Sequence, residues 1–110
     1  MPADPPQTEE LSPFAAPAVL VMAALADGPR HGYAIMQESE RLSGQPLGPG
    51  TLYAALARLE RRGLIEAVPS DDRRRPYRLT GLGAATLQAH LDQLHAFAQR
   101  ALRRMASGAA

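Results

Sequence analysis

Residues 48–66 read GPGTLYAALARLERRGLIE and residues 73–80 read RRRPYRLT. In the first stretch Leu52, Leu56 and Leu59 recur at i, i+4 and i+7 with Ala55 beside them. That spacing predicts a helix from about Gly50 to Arg62 with one buried face. Gly63 then stands at the position that ends a helix in left-handed conformation. The texture changes after it. Leu64 to Val68 reads as a strand, Pro76 to Leu79 as another, and PSDDRRR (69–75) as the charged turn of a β-hairpin.

Two more helices are predicted upstream. PAVLVMAALA (17–26) is apolar nearly all round, with Pro17 suited to a first turn and Gly28-Pro29 to a stop. A helix with so little polar face must be covered on most sides, by its own domain or by a partner chain. A second helix is expected from about His31 to Leu42, with Tyr33, Ile35, Met36 and Leu42 inward and Gln37, Glu38, Glu40 and Arg41 outward. Downstream, Thr80 is an N-cap candidate for a long last helix. Its apolar residues Ala84, Leu87, Leu91, Leu94, Ala98, Ala101 and Met105 alternate three and four apart, a heptad seam. About 25 residues of helix span roughly 37 Å. That is more than the preceding domain can cover, so a second copy of the chain is expected along Leu87, Leu91, Leu94, Ala98, Ala101 and Met105.

The fold class is therefore mostly α with a two-stranded β-hairpin: a winged helix-turn-helix followed by a long C-terminal dimerisation helix. The expected division is a mobile, Pro-rich acidic arm at 1–12, the winged domain at 13–79, the dimerisation helix at 80–106 and a tail at 107–110.

Composition narrows the function. A chain of 110 residues holds one modest core and no second catalytic domain. Cysteine is absent, which excludes disulfides, thiolate catalysis and cysteine-ligated zinc. His90 and His95 fall on different faces of a helix and no HExxH occurs, so neither a metal nor another cofactor is expected. No nucleophile–base pair can be assembled, so no catalytic residues and no enzyme are expected. The longest apolar run, Phe14 to Ala26, falls short of the ~20 residues of a membrane span. Acidic residues before it argue against a secretory signal, so the cytoplasm is the expected location. The net charge of +1 conceals a gradient: residues 1–29 hold acids and no Arg, while residues 30–78 hold nine Arg against six acids. A basic middle suggests an anionic partner.

Duplex DNA fits the pattern of that middle. With its leucines inward, the third helix turns Thr51, Ala54, Arg58 and Arg61 outward, with Tyr53 at the edge. Pro49 and Gly50 open it, and its small first residues and free N–H groups allow close approach to phosphate. Thr51, Tyr53 and Arg58 can each reach a phosphate or a base edge. Arg73, Arg74 and Arg75 at the hairpin tip, with Arg78, suit a minor groove or its flanking phosphates; the other reading is a charged tip that only keeps a strand edge soluble. Arg30 and His31, before the second helix, are further phosphate candidates, with a structural cap as the other reading of His31. The rival for helix three is a solvated amphipathic helix with Tyr53 packed under the wing. For the whole chain the rival is a winged-helix protein-interaction module that binds no nucleic acid.

The segments GPRHGY (28–33), PGTLY (49–53), Arg58-Leu59-Glu60, Gly63-Leu64-Ile65 and Tyr77-Arg78-Leu79-Thr80 resemble the PadR family of bacterial transcriptional regulators over roughly residues 17–83. The short length and single terminal helix resemble its smaller subfamily, whose members are dimers. The resemblance implies a homodimeric repressor that occupies an inverted-repeat operator. It also implies a small-molecule inducer cavity between helix one and the last helix of both chains, which Met22, His90, Leu94 and Phe97 could line here; the other reading is that these are dimer-core residues with no ligand. In some members a Trp on the last helix stacks on aromatic ligands; this chain has none. Two departures stand out. Ala54 replaces the usual Pro, which makes helix three easier to extend. Gly81-Leu82-Gly83 predicts a softer hinge between wing and last helix.

Overall fold

A computed structural model of the chain describes residues 16–71 and 73–108. The arm expected at 1–12 and part of the 107–110 tail lie outside them. Among the described residues the elements run α1 (Pro17–Ala24), β1 (Arg30–His31), α2 (Gly32–Ser43), α3 (Pro49–Arg61), β2 (Ile65–Ala67), β3 (Pro76–Leu79) and α4 (Gly81–Gly108).

α1 has Pro17 in its first turn, where a missing N–H costs nothing. Its apolar surface is covered within this one chain by α2, α3 and α4. Val21, Met22, Ala24 and Leu25 join Ile35, Leu47, Leu52, Ala55, Leu56, Leu59, Ile65 and Leu87 in one core. The expected inward face of α2 needs correction. Ile35 is fully buried and Met36 packs on the core, but Tyr33 is 67% and Leu42 54% exposed. The buried face is Gly32, Ile35 and Ser39, spaced three and four apart. Two of the three are small, so α2 comes close to its neighbours, and a hydrophobicity pattern gives such residues no weight.

α3 buries Leu52, Ala55, Leu56 and Leu59 as its spacing predicts. It ends in a Schellman motif: Gly63 N–H donates to the Glu60 carbonyl at 3.0 Å and Leu64 N–H to the Leu59 carbonyl at 3.0 Å. Gly63 has φ of 71°, a conformation open to glycine at little cost.

The expected hairpin is present and carries a third strand. The sheet order is β1-β3-β2, all antiparallel, with Arg30 opposite Tyr77, His31 opposite Pro76, Glu66 opposite Arg78 and Ala67 opposite Tyr77. Pro76 opens β3, a place where a strand tolerates a missing donor. The join of α2 to the rest is therefore tied directly into the wing.

Thr80 caps α4 and does more. Its Oγ1 accepts from Gly83 N–H at 3.0 Å and donates to the Gly63 carbonyl at 2.6 Å, while its own N–H donates to the Leu64 carbonyl at 3.1 Å. Gly83 is buried against the same Leu64. The soft hinge expected at 81–83 is thus a tight junction at Gly83, where absence of a side chain serves contact rather than freedom. Thr80→Ala is expected to cost about 1–2 kcal/mol, with Thr80→Ser close to wild type. Urea unfolding of the two variants checks this.

Candidate nucleic-acid interface

α3 presents Thr51, Ala54, Arg58 and Arg61 to solvent, with Pro49 and Gly50 exposed at its start. Tyr53 is 58% exposed, so it does not disappear beneath the wing. Between the start of α2, the edge of α3 and the wing lies an open cleft of about 450 Å³, lined by His31, Gly32, Tyr33, Tyr53, Tyr77 and the three arginines Arg73, Arg74 and Arg75. The fold thus brings the edge of α3 and the wing tip to one hollow. Tyr33 and Tyr77 are additions to the expected set. The sequence pattern puts Tyr33 in the core and Tyr77 merely in the wing. Their position follows from β1 pairing with β3, which draws the first turn of α2 beside the wing.

Two expected contacts sit elsewhere. Arg30 turns back on α1: its Nη1 donates to the Ala24 carbonyl at 2.8 Å and to Asp27 Oδ1 at 2.5 Å. That hydrogen bond, with the charge behind it, holds the Asp27 carboxyl below the usual range and raises Arg30 above its own. Here Arg30 closes the C-terminal end of α1, where cations are favoured. Arg78 lies one residue from Tyr77, so it points to the other face of the strand. There its Nε donates to Glu66 Oε1 at 2.8 Å across the β2–β3 pair. Both charges are thereby compensated. Among the described residues, no ion pair engages Arg58, Arg61, Arg73 or Arg75, and Asp71 is exposed beside the wing. The resulting surface is positive, aromatic and concave.

His31 is the N-cap residue of α2 but makes no side-chain cap, and its buried Nδ1 has no hydrogen-bond partner. The other candidates lie on or near α4. Leu87 is buried, whereas Leu91, Leu94, Phe97 and Met105 are 40–69% exposed and Ala101 is half-buried, with Ala98 and His90 exposed as well. Met22 is not with them. It lies in the core of the winged domain, 5% exposed. Among the described residues no group of three His, Asp or Glu could hold a metal, and no helix is long and apolar enough to cross a membrane.

Known proteins share this fold. Over 70 residues, 64% of this chain, the sequence is 51% identical to a Streptomyces fradiae protein described as an uncharacterized 37.1 kDa protein in transposon TN4556. The match spans 20% of that longer protein. Among solved structures, a transcriptional regulator from Clostridium thermocellum superposes with a TM-score of 0.69 over 91% of this chain and 97% of its own, at 20% identity, a likeness of fold. A PadR family transcription regulator from Clostridium difficile gives 0.69 over 83% of this chain and 98% of its own at 26% identity. A PadR family regulator from Eggerthella lenta gives 0.67 over 80% of each chain at 28% identity. The transcriptional regulator PadR-like family matches residues 21–89, which run from the middle of α1 through the wing into α4. The chain belongs to that family of DNA-binding transcriptional regulators.

Proposed function

We propose that two copies of this chain, paired through α4, bind an inverted-repeat operator and repress transcription by occupying it. The observation that carries this reading is the cleft shared by Tyr53 and Arg73–Arg75 beside the exposed outer face of α3. A helix face with small residues at its start enters a major groove, and a basic tip next to it reaches the flanking backbone. Thr51, Ala54 and Arg58 then face base edges, with Pro49, Gly50, Tyr53, His31 and the wing arginines on phosphates. Arg30 and Arg78 contribute from behind, by fixing α1 and the wing.

Pairing is supported by the apolar stripe of α4, which among the described residues stays exposed at Leu91, Leu94, Phe97 and Met105. In this reading residues 13–79 bind DNA and 80–106 dimerise. Two-fold symmetry then sets half-sites about one helical turn, ~34 Å, apart. An inducer would meet the same stripe at His90, Leu94 and Phe97, which share a helix face at i, i+4 and i+7; Met22 lies apart from them in the core.

Selection of bound duplexes from a random pool tests the reading. Recovery of inverted repeats supports it; no enrichment, with no binding at low salt, overturns it in favour of a protein-interaction module. Leu91→Asp is expected to yield a folded monomer by light scattering and to lose at least ten-fold in duplex affinity. Leu91 is 40% exposed in one chain, so the charge is buried only on pairing.

A further inference from the structure

Gly32 opens α2 and is buried. Its backbone does not require glycine: the positive-φ glycines among the described residues are Gly28, Gly44 and Gly63. Space requires it. A Cβ at position 32 would stand 2.9 Å from the hydroxyl oxygen of Tyr53, 3.4 Å from its Cζ and 3.5 Å from its Cε1. Gly83 is crowded too, but by backbone. At Gly32 the neighbour is the tip of an aromatic side chain that α3 carries into the cleft.

The surroundings decide which partner yields. Residues 30–31, just before Gly32, are paired with Tyr77 and Pro76 of the wing. The start of α2 is therefore anchored, whereas Tyr53 is more than half exposed and turns about two side-chain bonds. A methyl group at position 32 displaces the ring, not the helix. Such a displacement costs the fold little, and alanine is the better helix former.

We propose that Gly32 is a positioning residue for duplex binding: its missing side chain forms the notch that seats the Tyr53 hydroxyl and holds the ring facing the cleft between α3 and the wing. The inference rests on the reading that this cleft takes duplex DNA. An exposed aromatic side chain loses rotamer freedom when it meets a ligand, and a seat formed in the free protein removes that cost from the binding step.

The test is a double-mutant cycle on duplex affinity with Gly32→Ala, Tyr53→Phe and the pair, each also followed by thermal melting. The probes are a duplex recovered by selection and an unrelated duplex at low salt. Gly32→Ala is expected to weaken binding about ten-fold, the effect of losing one hydrogen bond in each half-site, without loss of melting temperature. Tyr53→Phe is expected to lose a similar factor. The pair should bind no more weakly than Tyr53→Phe alone, because removing the hydroxyl removes the clash. Unchanged affinity of Gly32→Ala overturns the inference, and so does an equal further loss when Gly32→Ala is added to Tyr53→Phe. If the unmodified protein binds neither duplex, the DNA reading itself falls; if it binds and Gly32→Ala is silent, only the role of Gly32 falls.

Discussion

Gly83→Ala is expected to destabilise the chain by about 3 kcal/mol or more, the upper end of what overpacking costs. The added Cβ would lie well inside contact distance of the Leu64 carbonyl oxygen and 2.9 Å from the carbonyl carbon. Both atoms are backbone, so no rotamer change relieves the overlap. Relief requires α4 and β2 to separate. That movement strains the hydrogen bonds from Thr80 to Gly63 and Leu64 that join the same two segments. For a domain of this size each kcal/mol is worth roughly 4–8 °C, so a fall of roughly 12 °C or more in melting temperature is expected. Gly81→Ala is the control. It sits two residues earlier in open space without positive φ, so it is expected to be neutral or slightly stabilising. Equal melting of the Gly83 variant and wild type would show that the junction gives way.

Replacing Arg73, Arg74 and Arg75 together by Ala is expected to reduce affinity for every duplex, operator or not, by about 100-fold or more at moderate salt. In the proposed dimer Arg73 and Arg75 alone bring four charges to one duplex, so the slope of log affinity against log salt is expected to fall by at least roughly 3.5. Discrimination between operator and unrelated DNA should change far less, because phosphate contacts position the protein without reading sequence. Arg30→Ala provides the contrast. Its guanidinium is spent on Ala24 and Asp27, so a change in stability is expected with little change in salt slope. Filter binding or fluorescence anisotropy across a salt series separates the two. An unaltered slope in the triple variant would remove the wing from the interface.

Much of the architecture is legible in the sequence because it rests on strong local signals. Leu52, Leu56 and Leu59 fix the phase of α3, Gly63 stops it, and Thr80 starts α4. The rest is carried by small residues and by pairing. A two-residue strand such as β1 has no period to detect, and only its partner β3 defines it. Gly32 and Ser39 occupy the buried face of α2, so a hydrophobicity pattern puts Tyr33 and Leu42 inward although they face out. At the candidate site, spacing puts Tyr53, Arg58 and the wing tip on the surface. It gives no sign that Asp27 engages Arg30 or that Glu66 engages Arg78, since both pairings depend on how separate segments are brought together. Gly83 suggests flexibility in the sequence, because a sequence does not show what lies opposite a glycine.

The bonds of Thr80 make the base of α4 one piece with the end of α3 and the first strand of the wing. α4, at 28 residues, is about 42 Å long. In the proposed dimer, held along the exposed stripe of α4, it is a lever whose fulcrum lies beyond the junction, toward its far end. A tilt of about 5° there swings the near end by about 4 Å, and the bonds at Thr80 carry the end of α3 with it. In a paired molecule two such arms swing in opposite directions. A modest change in their crossing angle therefore alters the span between the two reading heads by several ångströms, enough to put them out of step with the pitch of the double helix.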